Sequence, residues 1–252
     1  MKQLILILSL VFSINFFAQD VNKTVSLVVS GEEKTQENSL NNLTSASAVY
    51  NKYIAAIGGV KTIENINTVK MVFEYVLSDF KIKTTEFKIP NKYKFILDFS
   101  HSVIFKIVIN GNNSYLLNNG KKKEIDEKEI QKYFDQTDPQ YQIHQEIFGI
   151  NRVFKQRIDN NDILSYSIDK NNEVEEYYDV NTGYLVKKIQ TVIGSTSKNV
   201  EITEFEDYKE ISGFTGYKVP YIKRVKTNNE DVVVHKLVLI EINKDISDNE
   251  FE

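Results

Sequence analysis

Cysteine and tryptophan are absent from the 252 residues, and only three prolines, three histidines and two methionines occur. The missing cysteine excludes disulfides, thiolate metal sites and cysteine nucleophiles. It also excludes a lipid-modified N-terminal cysteine, so the chain is not itself a lipoprotein. His101, His144 and His235 are far apart and none has a partner four residues on. No metal site and no cofactor is therefore expected. The net charge of −4 includes no basic block, and nucleic-acid binding needs a concentrated positive footprint. A Gly-x-Ser-x-Gly elbow and a glycine-rich phosphate loop are both lacking. Glu173, Glu175 and Glu176, like Glu201, Glu204, Glu206 and Asp207, lie in strand-like sequence and read as solvated charge. The chain is not expected to be an enzyme.

Aromatic residues are plentiful: 14 Tyr and 15 Phe. They favour strands and line cavities well. Residues 173–242 alternate apolar and polar positions in long runs separated by turn residues. A period of two puts successive side chains on opposite faces of a sheet. Long runs with short links predict an antiparallel meander with one apolar face, which something must cover.

The first 18 residues read as a signal peptide. Lys2 gives the positive start, Leu4–Leu8 and Val11–Phe17 the apolar run, and Ala18-Gln19 the cut. That run is short for a membrane span. Residues 19–44 are polar with little periodicity and read as a flexible linker. One domain is expected over 45–252. It opens with a helix over Ser45–Ile57, with Ser45 or Ser47 as cap and Gly58 as stop. From Asn67 the period becomes two. Val69, Met71, Phe73, Tyr75 and Leu77 share a face, as do Tyr93, Phe95, Leu97 and Phe99, and Val103, Phe105, Ile107 and Ile109. Asn110-Gly111 and Asn119-Gly120 mark tight turns, and Lys121–Lys123 reads as a solvated tip. Two helices are predicted mid-chain. Asp126 caps the first, with Ile130, Tyr133 and Phe134 apolar. Asp138-Pro139 opens the second, with Tyr141, Ile143, Ile147 and Phe148 apolar and Gly149 as stop. Strands then run to Ile242.

Several stretches resemble LolA/LolB-like outer-membrane lipoprotein-sorting proteins. Tyr178-Asp179-Val180-Asn181-Thr182-Gly183-Tyr184-Leu185 is similar to that family's Thr-Gly hairpin. Asp207-Tyr208-Lys209-Glu210, Gly213 and Val219-Pro220 are similar to the strand pair after it. Ile242–Asp248 with Phe251 is similar to its C-terminal ending. Tyr53–Gly59 and the Phe17-Ala18-Gln19 signal ending resemble the Bacteroidetes branch. The resemblance spans about Ser45 to Phe251. It implies a curved antiparallel sheet wrapped around helices, a hydrophobic cavity, and transport of lipoproteins or lipids across the periplasm. With no lipobox cysteine, the chain looks more like the soluble carrier than the membrane-anchored acceptor.

The expected fold is thus mainly β (α+β): a single curved antiparallel sheet forming a half-barrel, covered by an N-terminal helix and a mid-chain helical pair. The expected function is a soluble periplasmic carrier, a monomer in transient contact with membranes, that binds lipid or lipoprotein acyl chains. The expected lining is Met71, Phe73, Tyr75, Phe95, Leu97, Phe99, Phe105 and Ile107. The other reading of the same eight residues is that they pack against the protein's own helices. A non-catalytic scaffold for an envelope protein partner is the alternative function, through strand addition at an open sheet edge.

Overall fold

A computed structural model describes residues 45–252 apart from Ser78, Thr196 and Asn229. The expected signal peptide and linker lie outside the described residues. Helix α1 (Ala46–Ala56) begins where Ser45 Oγ accepts a hydrogen bond from the Ala48 amide, and a single helical turn, α2 (Val60–Ile63), follows. Strands β1 (Val69–Leu77), β2 (Phe80–Ile89), β3 (Lys92–Phe99), β4 (Ser102–Asn110), β5 (Tyr115–Asn118) and β6 (Lys121–Glu124) form a first meander. A connector over residues 125–152 leads to the second: β7 (Val153–Ile158), β8 (Asn161–Asp169), β9 (Asn172–Asp179), β10 (Leu185–Ile193), β11 (Lys198–Ile211), β12 (Phe214–Thr227) and β13 (Val233–Ile242).

All thirteen strands join one antiparallel sheet in the order β6-β5-β4-β3-β2-β1-β13-β12-β11-β10-β9-β8-β7. The first and last strands pair at its middle, with Val69 opposite Ile242 and Met71 opposite Ile240. The sheet does not close: β6 and β7 are its two edges. The connector therefore has to travel from one edge to the other, and it does so across the concave face of an open half-barrel.

Helix α1 packs on that face over the second meander. Val49 meets Leu164 and Tyr178, while Ile54, Ile57 and α2's Ile63 meet Val69, Ile211, Tyr217 and Ile242. The connector's first part covers the first meander, where Ile125, Ile130 and Tyr133 pack on Tyr75, Phe95, Leu97, Phe105 and Ile107. On the convex side the terminal 3-10 helix (Asp248–Phe251) inserts Phe251 among Phe87, Val108 and Tyr115.

Two expectations need correction. The mid-chain helical pair is not a pair of α-helices. The connector holds one α turn, α3 (Glu127–Ile130), a 3-10 stretch (Gln131–Thr137) and then a run of turns. The amides of Tyr141, Ile143, His144, Ile147, Phe148 and Gly149 bond three residues back, as in Ile143 N to Gln140 O and Ile147 N to His144 O. Long-range bonds outweigh helix propensity here: Gln140 Nε2 donates to Glu64 O and Ile66 O, and Tyr50 Oη to Gln142 O. The second correction is Lys121–Lys123, which forms edge strand β6, with Tyr115 opposite Glu124, instead of a turn tip. Lysines along an edge deter pairing with another chain.

Candidate functional site

Between the concave face and the connector lies a cavity of about 340 Å³. Its apolar wall comes from central strands: alternate positions Val69, Met71 and Phe73 of β1, Val219 of β12, and Leu237 and Ile240 of β13, three residues apart because the β1–β13 register shifts between Val72 and Phe73. Two further departures from alternation add to it. Asp207 takes φ +59°, and Phe205 and Tyr208, three residues apart, both line the cavity. In β10 a bulge after Leu185 lets Leu185 and Lys188 both reach it. Tyr50 and Tyr53 of α1 and Pro139, Tyr141, Gln142 and Gln145 of the connector form the roof.

The Thr-Gly hairpin between β9 and β10 fixes that roof. Asp179 Oδ1 accepts from the Asn181 and Thr182 amides and from Thr182 Oγ1. These bonds, led by the Thr182 amide, hold its carboxyl below the usual range. At Gly183 (φ +78°) a Cβ would meet the Lys52 side chain at 3.0 Å and the Lys52 carbonyl at 3.1 Å, so α1 lies directly on the turn. Lys52 Nζ also donates to Val180 O. Just beyond the turn, Tyr184 stacks on Tyr208 at 4.2 Å, and Tyr208 Oη donates to Leu185 O.

A charged knot occupies one wall. Arg152, from the connector's end, donates through Nε to Glu176 Oε2 at 2.7 Å and through a second nitrogen to Oε1 at 3.3 Å. Both side chains are 7% exposed. Tyr178 Oη donates to Glu176 Oε2 at 2.7 Å, and Tyr166 Oη reaches Oε1 at 3.4 Å. The guanidinium lies 4.0 Å from the Tyr50 ring centroid and 5.1 Å from that of Tyr166. Burial alone would lower the Arg152 pKa, but Glu176 outweighs it and raises it. Burial also raises the phenols of Tyr50, Tyr166 and Tyr178, which stay neutral donors.

Of the eight residues expected to line a cavity, Met71 and Phe73 do. Tyr75, Phe95, Leu97, Phe105 and Ile107 lie in the adjoining core, with Phe99 packed against it, under the connector's Ile125, Ile130 and Tyr133. Sequence reasoning missed the second meander's share: Tyr166, Glu176, Tyr178, Leu185, Lys188, Phe205 and Lys223. Glu176 carried a readable signal, since it has the same parity along β9 as the buried Val174 and Tyr178. Among the described residues no three His, Asp or Glu converge as metal ligands, and no helix is long and apolar enough to cross a membrane.

No protein-family profile and no curated relative matches the chain. Solved structures do. A LolA superfamily protein from Nitrosomonas europaea superposes with a TM-score of 0.54 at 12% identity, covering 82% of this chain and 97% of that one. A domain described as an outer-membrane lipoprotein-sorting protein, from Vibrio parahaemolyticus, gives 0.50 at 10% identity, covering 81% and 94%. At such identities the likeness is one of architecture, and it extends over nearly the whole of both neighbours. The open antiparallel half-barrel with its covered concave face is a LolA-like fold.

Proposed function

We propose that this chain is a non-catalytic carrier that shelters an apolar chain in the cavity between β1, β9–β13 and the connector. The observation that carries this reading is the cavity itself: 340 Å³ walled by Met71, Phe73, Leu185, Phe205, Leu237 and Ile240. The two LolA-like neighbours support it through their shared architecture, and the Vibrio one through its description as a lipoprotein-sorting protein. Each methylene moved out of water contributes about 0.8 kcal/mol. Ten of them would supply roughly 8 kcal/mol before ordering costs, which suits reversible loading.

The volume is at the low end for small-molecule pockets, about 300–1,000 Å³. That favours one alkyl chain over the several chains of a lipoprotein anchor. Met71 and Phe73 would touch such a guest directly. Tyr75, Phe95, Leu97, Phe99, Phe105 and Ile107 would join the lining for a larger guest, once Ile125, Ile130 and Tyr133 withdrew with the connector. Export to the periplasm and delivery toward the outer membrane belong to the same proposal. The test is organic extraction of protein purified from its native cells, followed by mass spectrometry. Stoichiometric lipid is the expected result; an empty protein carrying a stoichiometric protein partner would favour the scaffold reading.

A further inference from the structure

The cavity carries a charge that an apolar sleeve does not need. Lys88, Lys188, Lys223 and Arg152 line it against only two carboxylates, Glu176 and Asp138, in a chain of net charge −4. Both carboxylates are engaged. Glu176 holds Arg152, and Asp138 accepts from the Gln140 amide and contacts His144 Nδ1 at 2.8 Å. The three lysines remain, one each from β2, β10 and β12.

Lys223 Nζ lies 4.3 Å from the Phe73 ring centroid. Lys88 Nζ donates to Gln136 Oε1 at 3.3 Å. Lys188 is across the ladder from Glu176, whose oxygens are already taken by Arg152, Tyr166 and Tyr178. Among the described residues none of the three lysines forms an ion pair with a carboxylate. Asp135 acts on Lys88 and Lys188 through space, but its own hydrogen-bond partner is Gln136. Burial lowers the Lys223 pKa, Glu86 opposes this, and Lys88 and Lys188 lower it further, so the ammonium groups repel one another. Two more groups along the cavity are incomplete. The amide oxygens of Gln142 and Gln145 are buried without a hydrogen-bond partner, and Gln145 is only 9% exposed. Buried acceptors of this kind are rare unless a ligand or water completes them.

We infer that the guest is a single-chain amphiphile with an anionic head, its alkyl chain against Met71, Phe73, Leu237 and Ile240 and its head on Lys223, Lys188 and Lys88. This rests on the carrier reading and specifies its cargo. An anion relieves the repulsion among the lysines and gains charge-assisted hydrogen bonds. A carboxylate and a phosphate monoester share that chemistry. A head that also bears a hydroxyl or amide N–H would complete Gln142 or Gln145.

The test is competition against N-phenylnaphthylamine, an uncharged fluorophore that reports any apolar occupancy. The competitors are hexadecanol, hexadecanoate and a single-chain lysophosphatidate. Either anion should bind about 10- to 100-fold more tightly than the alcohol at low salt, the worth of a charge-assisted hydrogen bond, with the margin shrinking as salt rises. Lys223→Met and Lys188→Met should erode that margin while fluorophore binding persists. The stronger of the two anions identifies the head. Hexadecanol competing as well as both anions with the wild-type protein would overturn the inference and leave the carrier reading standing. Failure of the fluorophore and of every chain to bind would overturn both. The wild-type comparison decides even where a variant does not fold.

Discussion

Arg152 and Glu176 meet 24 residues apart in sequence, one at the connector's end and the other in β9, through a bond of 2.7 Å between side chains that are each 7% exposed. The pair ties the roof of the cavity to its wall. Removing one partner strands a buried charge, which costs about 3–5 kcal/mol. Glu176→Gln and Arg152→Met should each lower stability by that order, and the double variant Arg152→Met/Glu176→Gln by clearly less than their sum. Urea titrations of the four proteins measure the coupling.

Gly58 joins α1 to the sheet. Its φ is +133°, and a Cβ there would lie 2.5 Å from the Gly216 carbonyl oxygen in β12. Next to it, the Lys218 amide donates to Ile57 O. Gly58→Ala should destabilise by roughly 2 kcal/mol or more through backbone strain and the clash. Gly213→Ala, also at positive φ but with open space beside it, separates the two contributions. The expected order of urea midpoints is wild type, then Gly213→Ala, then Gly58→Ala.

His235 packs on Tyr75 with ring centroids 4.2 Å apart and planes tilted by 37°, and its Nε2 is buried without a hydrogen-bond partner. Burial, then the Lys223 charge, lower its pKa to about 4. The folded state therefore keeps the ring neutral where the unfolded chain, near 6.5, takes a proton. Stability is lost as pH falls from about 6.5 towards 4, at most roughly 3 kcal/mol, and no further below that. Other carboxylates titrate nearby, so the check is a difference. His235→Phe should flatten the profile between pH 6.5 and 4 relative to wild type, and parallel profiles would refute the assignment.

With no tryptophan in the chain, Phe205→Trp installs a sole indole in the cavity wall. Its emission should shift to the blue when an apolar chain displaces water. An unchanged spectrum under saturating hexadecanol would show that the chain goes elsewhere.

Lys223 carries a cost in the empty protein, because burial disfavours its ammonium. Its folded pKa is below the unfolded value, so the penalty is complete below the folded pKa and fades as pH rises through it towards 10.5. Lys223→Met should raise the urea midpoint of ligand-free protein at pH 7. A lower midpoint would show that Lys223 stabilises the empty cavity.

The strands were legible because alternation is a local signal: β1 runs over Val69–Leu77 where Val69, Met71, Phe73, Tyr75 and Leu77 share a parity. A second rule, that charged residues face water, hid much of the cavity. By it Glu176 read like its exposed neighbour Glu173, against its own parity, and only Arg152 from across the fold shows it a buried partner. Lys188 was hidden for a second reason, since the bulge after Leu185 changes which face it serves. The connector misled in the opposite sense. Apolar spacing and Pro139 look helical, but Gln140 and Gln142 bond to Glu64, Ile66 and Tyr217, partners that no local window contains.

The pairing of β1 with β13 also sets the order in which the molecule can assemble. Each meander is built from neighbours in sequence and can zip from its own hairpins. The seam between them requires two segments more than 150 residues apart, so it bears the largest loop-closure entropy in the sheet. During synthesis the first meander has to wait, its β1 margin bare, until Val233–Ile242 has emerged. A chain stopped before those ten residues would hold two half-sheets with no keystone.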